Sequence, residues 1–284
     1  MALYTASLNS GSNGNCYYIG NAEDAVLIDA GISCRETERR MERLGLDVRT
    51  VRAIFISHEH SDHIRGVEVL SRKYRIPVYI TAPTLMAGSL AIDPALIRSF
   101  RPHETICIGE LSVIPFPKSH DAAEPFSYVV KNREVCIGVM TDIGSVCDNV
   151  IRYFKQCHAV FLEANYDVTM LETGHYPAHL KRRISSHKGH LSNEQALELF
   201  TSHRSSFLSH VFLSHLSKEN NDPQTASTVF QEHCGHTQII VASRYGETPL
   251  FCITERIAAK PVNVVEHVIV KQVRERMVQM ALFD

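Results

Sequence analysis

The chain has 284 residues, 44% of them hydrophobic, with 29 lysines and arginines against 31 aspartates and glutamates. That length and apolar content can bury a sizeable core, whereas a net charge of −2 excludes global attraction to polyanions, so any nucleic-acid ligand needs a local basic surface. There is no run of about 18 uninterrupted apolar residues and no charged start followed by an apolar stretch, which predicts a soluble, cytoplasmic protein without a membrane segment. The eight cysteines form no C-x-x-C pair, so reduced, mostly buried thiols are expected instead of a zinc ribbon or a disulfide framework.

In chain order, Leu3 to Leu8, Cys16 to Gly20 and Ala25 to Asp29 read as short strands joined by Ser10-Gly11-Ser12-Asn13-Gly14-Asn15 and Asn21-Ala22-Glu23-Asp24, an antiparallel start. The glycines of the first connection expose backbone N–H groups that suit a phosphate, and a hairpin turn explains them equally well. Cys34 to Leu44 has the thin apolar spacing of an exposed helix, and Ala53-Ile54-Phe55-Ile56 is a strand apolar on both faces. A helix to about Tyr74 and a strand at Pro77-Val78-Tyr79-Ile80 complete a β-α-β unit. Further strands are predicted at Leu111 to Pro115, Ser127 to Val130, Val135 to Met140, Ala159 to Leu162, Val211 to Leu213, Ile239 to Ala242 and Leu250 to Ile253. Helices are predicted over Val146 to Phe154, Ser192 to His203 and Pro223 to His233, with Ser192 and Asp222 as N-caps. The simplest packing is two mostly antiparallel sheets with helices outside, in one domain over 1–260 and a tail over 261–284. No internal repeat is visible.

Sixteen histidines are the informative excess. His58-Glu59-His60-Ser61-Asp62-His63 places four good ligands directly after a buried strand, where alternation points His58 and His60 to one side and the turn carries Asp62 and His63 elsewhere. Such an H-x-H-x-D-H loop resembles the signature of the metallo-β-lactamase superfamily, and the resemblance implies an α/β fold, the αββα four-layer sandwich. It also implies later ligands at strand ends, for which His120, Asp142 and His215 stand in order. By that pattern His58, His60 and His120 hold one divalent ion, Asp62, His63 and His215 hold another, and Asp142 bridges. Two ions about 3.5–4 Å apart activate a shared water and polarise a phosphoryl or carbonyl oxygen, which suits hydrolysis. Imidazole and carboxylate ligands accept zinc or manganese, and iron also fits. Diiron reductases of the superfamily carry glutamate where this chain has His60, which argues against redox chemistry.

Leu162-Glu163-Ala164-Asn165-Tyr166 and Gly189-His190-Leu191-Ser192 resemble the phosphodiesterase branch that contains tRNA 3′-processing enzymes, which implies that Glu163 orients His190 and that His190 protonates the leaving oxygen. Together with Ser7 to Cys16, Leu27 to Gly31, Thr141 to Gly144 and His215 to Asn221, these segments resemble the YycJ/WalJ family along nearly the whole chain, implying a 5′-to-3′ exonuclease on double-stranded DNA. Lys181, Arg182, Arg183 and Lys188 lead into His190 and are candidate phosphate contacts, although a charge run is ordinarily a solvated helix face. Only a modest segment separates Asp142 from His215, which disfavours a β-CASP insertion. Other readings are a hydrolase of small phosphodiesters or thioesters, and a non-catalytic DNA-repair scaffold. The ending Gln279-Met280-Ala281-Leu282-Phe283 resembles a sliding-clamp-binding peptide, with Gln279, Leu282 and Phe283 as the docking residues, while packing of an amphipathic tail on the protein itself explains it too.

Overall fold

The computed structural model describes residues 2–255. Strands β1 (Leu3–Asn9), β2 (Cys16–Gly20) and β3 (Ala25–Ile28) form an antiparallel meander, to which β4 (Val51–Phe55), β5 (Val78–Tyr79) and β6 (Ile97–Arg98) add in parallel. Parallel neighbours need crossover connections, and α1 (Cys34–Arg43), α2 (Ser61–Ile64), α3 (Val67–Tyr74) and α4 (Ala82–Ala87) lie in them. The second sheet repeats the plan. Strands β7 (Ile106–Ile108), β8 (Leu111–Pro117), β9 (Phe126–Lys131) and β10 (Cys136–Met140) are antiparallel, and β11 (Ala159–Glu163), β12 (His210–Ser214) and β13 (Gln238–Val241) continue in parallel. Helices α5 (Asp148–Phe154), α6 (Val168–Thr173), α7 (Ala178–Ile184), α8 (Asn193–His203) and α9 (Pro223–Gln231) occupy those crossovers, and β14 (Phe251–Ile253) returns to pair with β1.

Three apolar clusters make this a four-layer αββα sandwich. Tyr17, Phe55, Tyr128, Phe161 and Phe212 fill the space between the sheets, with Phe161 and Phe212 stacked at 4.6 Å between ring centroids. Met41, Val67 and Leu70 pack the first sheet against its helices, and Phe154, Phe200 and Phe230 do so for the second. Truncating a buried phenylalanine in such a layer costs about 3–5 kcal/mol. Ser192 caps α8 in a full capping box with Gln195, and the Asp222 carboxylate caps α9, as their spacing predicts.

The expectation of mostly antiparallel sheets is corrected: three of the six pairings in each seven-stranded sheet are parallel. Apolar runs show burial but not strand direction, and the two-residue strands β5 and β6 are too short to carry a pattern. A repeat that the sequence hides is plain in the topology. Asp29-Ala30-Gly31 after β3 corresponds to Asp142-Ile143-Gly144 after β10, and both aspartates are left-handed, with φ 60° and 53°. Both glycines admit a close approach: a Cβ on Gly31 would sit 1.7 Å from the Asp62 carbonyl oxygen, and one on Gly144 would sit 2.4 Å from that of His187.

Among the described residues no helix is long and apolar enough to cross a membrane. None of the eight cysteines is disulfide-bonded; four are buried, and Cys107 is exposed. The 260/261 boundary and Gln279, Leu282 and Phe283 lie outside the described residues.

Candidate metal centre

The loop after β4 is held from both sides. Asp29 accepts the Ser57 amide and hydroxyl, each at 2.8 Å, and the Asn15 amide donates to the Asp62 carbonyl at 2.7 Å. His60 is the N-cap residue of α2, so the chain turns there and Asp62 and His63 enter a helical turn while His58 and His60 stay on extended backbone. His58 Nε2 and His60 Nδ1 stand 3.0 Å apart. This is the division of the loop that its spacing predicts.

The second sheet supplies the remaining groups from its strand ends. His120 follows β8 and donates Nδ1–H to the Gly189 carbonyl at 3.0 Å, which leaves Nε2 for the centre. Asp142 follows β10, and His215 follows β12 with φ 57°; a non-glycine residue held in this region costs on the order of 1–3 kcal/mol that the surrounding packing must offset. Ligand atoms within 4.8 Å of one another define three triads, His58–His60–His120, Asp62–His63–His215 and His58–His63–Asp142. A fourth grouping joins Asp142, Glu163, His190 and His215. Both oxygens of Glu163 already have protein partners: Oε2 accepts the Ile143 and Leu191 N–H groups at 2.6 and 3.2 Å, and Oε1 faces His190 Nδ1 at 2.7 Å.

Burial and mutual charge set the protonation of the cluster. Burial pushes Asp142 up, but His215, His63, His58 and Lys118 outweigh it and hold the carboxyl well below the usual range. Burial likewise opposes ionisation of Glu163, yet His190 and His215 bring it down to about 2. Burial lowers His58 strongly and brings His120 to about 4, so both imidazoles are neutral lone-pair donors at pH 7. For His63 and His215 burial is overcome by Asp142 and the other facing carboxylates, which raise both.

The residues fit a cation. His120 Nε2 and Asp142 Oδ2 are buried with no hydrogen-bond partner, a costly arrangement unless an ion completes it. The donors are imidazoles and carboxylates without a thiolate, a set suited to divalent zinc, manganese or iron.

The seven candidate side chains therefore lie together, and Glu163 lies beside His190. The basic run is spread over helix α7 and the segment after it: α7 buries no residue, Lys181 Nζ donates to the Glu172 carbonyl at 2.7 Å, and Arg183 Nε pairs with Asp121 at 2.5 Å. Arg182 and Lys188 are exposed.

Sequence reasoning missed the groups behind the ligands. Asp29 Oδ2 accepts from His63 Nδ1 at 2.7 Å, fixing the ring so that Nε2 faces Asp142 at 3.3 Å. The Asn15 side chain touches Asp62 Oδ2 and His63 Nε2, both at 3.1 Å. Asn165 Nδ2 donates to the His215 carbonyl at 2.7 Å, and Lys118 is buried, donating to the Thr141 carbonyl at 2.7 Å. A conspicuous Leu27-Ile28-Asp29-Ala30-Gly31 segment and the asparagine ending the glycine loop were the available signals.

The family model of the β-lactamase superfamily domain matches residues 24–215. An exodeoxyribonuclease YycJ of Bacillus anthracis is 39% identical over 231 residues, covering 80% of this chain and 87% of the relative. An exodeoxyribonuclease WalJ of Streptococcus pneumoniae is 34% identical over 224 residues, covering 77% and 83%. Among solved structures, the metallo-β-lactamase fold protein YhfI of Bacillus subtilis aligns at TM-score 0.68 and 12% identity, covering 87% of this chain and 99% of that one. The short form of human tRNase Z aligns at TM-score 0.60 and 15% identity, covering 86% and 98%.

Proposed function

Since the chain belongs to the metallo-β-lactamase superfamily, in its YycJ/WalJ family, we propose that it is a metal-dependent DNA exonuclease that hydrolyses phosphodiester bonds. The observation that carries the reading is the pair of buried atoms that make no hydrogen bond, His120 Nε2 and Asp142 Oδ2, set among three converging triads. His58, His60 and His120 would hold one divalent ion, Asp62, His63 and His215 a second, and Asp142 would serve both. Zinc or manganese suits this donor set. When bound, such ions polarise a phosphoryl oxygen and lower the pKa of a water, the chemistry of metal-assisted hydrolysis.

The protein's own groups then do three things. Asp29 and Asn15 fix the His63 ring and the Asp62 carboxylate, and Asn165 fixes the His215 backbone, before substrate arrives. Glu163 accepts from His190 Nδ1–H, and with the ring as imidazolium the remaining Nε2–H would pass to the departing alkoxide, a step worth about 10²–10⁴-fold. Arg182 and Lys188 lie on the exposed segment leading to His190, where backbone phosphates would pass. Action from the 5′ end of duplex DNA is part of the proposal and follows the family resemblance. A cytoplasmic location fits eight unpaired cysteines. Recruitment to a sliding clamp through Gln279, Leu282 and Phe283 would be abolished by deleting residues 279–284, so unchanged clamp affinity of the truncated chain refutes it.

The deciding assay incubates the protein with end-labelled duplex DNA, single-stranded DNA and RNA, with manganese or zinc, beside Asp62→Ala. Metal-dependent shortening of DNA by the wild type alone is expected; identical products from both proteins would remove the nuclease reading. Hydrolysis confined to small phosphodiesters or thioesters would replace it with the small-substrate alternative.

A further inference from the structure

Beside His215, and apart from the ligand cluster, lies a cavity of about 380 Å³, within the size range of small-ligand pockets. One wall is the segment after His215, including Leu216 and Lys218, and the other is the turn Ser243-Arg244-Tyr245 after β13. Both walls are tied to the centre. The Ser10 hydroxyl accepts the His215 N–H at 2.8 Å, and the Ser10 amide donates to the Ser243 carbonyl at 3.1 Å. Asn13 donates to the Arg244 carbonyl at 2.8 Å on the same glycine loop whose Asn15 touches Asp62 and His63.

Three features of this cavity point to one ligand chemistry. Its floor is apolar, with Leu216, Val241 and Ala242. At its rim Tyr245 is 77% exposed, so its ring face is open to a ligand. The Arg244 guanidinium reaches Ser12 Oγ at 3.3 Å through Nη2, while Nη1 is buried with no hydrogen-bond partner among the described residues. The Asp222 carboxylate, also in the lining, is engaged by the Gln224 and Thr225 amides at the start of α9, so its charge is directed to the helix. An aromatic face, an apolar floor and an underused cation are the parts that take a planar base together with its phosphate.

We propose that this cavity is the subsite for one nucleobase of the DNA substrate, stacked on Tyr245, with Arg244 and Lys218 holding the phosphate attached to that nucleotide. The subsite rests on the nuclease reading and deepens it. The cavity lies on the side of the centre that the Ser10–Asn15 loop lines, one residue beyond His215, so a strand held there would run on toward the metal cluster. Stacking is indifferent to base identity, so the subsite grips a strand without reading its sequence.

The test compares wild type with Tyr245→Ala, Tyr245→Phe and Arg244→Ala, all metal-loaded. Fluorescence anisotropy gives the Kd for a labelled oligonucleotide, and steady-state kinetics give kcat and KM for that oligonucleotide and for bis(p-nitrophenyl) phosphate, a phosphodiester without a base. Tyr245→Ala should raise the oligonucleotide Kd and KM by roughly 5- to 150-fold, Tyr245→Phe should restore them, and bis(p-nitrophenyl) phosphate turnover should not change. Unchanged oligonucleotide Kd in Tyr245→Ala overturns the subsite, as does an equal loss on both substrates. Failure of the wild type to cleave DNA would refute the nuclease reading separately, because the Kd, taken with a phosphorothioate-blocked oligonucleotide, reads the subsite without turnover.

Discussion

His190 Nδ1 lies 2.7 Å from Glu163 Oε1, and the other oxygen of that carboxylate is anchored by the backbone amides of Ile143 and Leu191. The imidazole therefore has a fixed ring plane before substrate binds, and to act as an acid it carries a proton on Nε2 as well as the one Nδ1 gives to Glu163. Replacing His190 with alanine should lower kcat on DNA by about 10²–10⁴-fold with unchanged metal content. On an aryl phosphodiester, whose leaving group needs no proton, the loss should be much smaller. Equal losses on both substrates would refute the general-acid role.

Asp29 touches no proposed substrate position, yet it accepts from His63 Nδ1 and from both the amide and hydroxyl of Ser57. Asp29→Asn should weaken metal affinity about 10–100-fold, measured by competition with a chromogenic chelator. Wild-type affinity in that variant would show that the ligand loop needs no such brace.

Chelation should abolish DNA cleavage and lower Tm. Restoring zinc or manganese at about 100 times its Kd should return about 2.7 kcal/mol of stability. His58→Ala removes a member of two triads, so its metal-dependent Tm shift should be largely lost. A full shift in the variant would place the bound ions elsewhere.

Phosphate contacts release counterions, so DNA binding should weaken with salt. Arg182→Ala and Lys188→Ala should each reduce the slope of log K against log salt by about 0.9 if their side chains meet duplex phosphates. Anisotropy titrations at several salt concentrations measure it, and an unchanged slope in the double variant would remove this segment from the DNA path.

His158 accepts the Cys136 amide through Nδ1 at 3.2 Å, which requires the neutral ring, and burial holds its pKa below the ordinary value of 6.5. The unfolded chain takes up this proton first as pH falls. The stabilisation from His158 is thus fully present above about pH 6.5 and is lost as pH drops through the folded value. The destabilisation caused by His158→Gln should therefore shrink between about pH 7.5 and about pH 5.5 in urea titrations. A pH-independent difference would sink the assignment, and the site histidines cancel because both proteins carry them.

The candidate ligands were legible because they combine chemistry with position: each is a histidine or aspartate in a segment following an apolar strand, and His58 to His63 compress four of them into one turn. Their supports were not, because Asp29, Asn15 and Asn165 are ordinary turn residues whose role exists only when distant segments meet. Lys118 was hidden for the opposite reason: a lysine reads as solvated, yet this one is buried with its ammonium on the Thr141 carbonyl. Helix caps at Ser192 and Asp222 were readable from local chemistry alone, whereas the parallel half of each sheet was not, since burial alone leaves strand direction open.

Each triad draws two members from the turn after β4 and one from a strand end of the opposite sheet. A cation seated in any of them would consequently be a rivet across the seam of the sandwich, added to the mixed aliphatic and aromatic packing and the Ser10–His215 and Ser10–Ser243 hydrogen bonds that already join the two leaves. Sliding one leaf against the other would pull apart every nest at once, so hydrolytic competence and alignment of the two sheets rise and fall together.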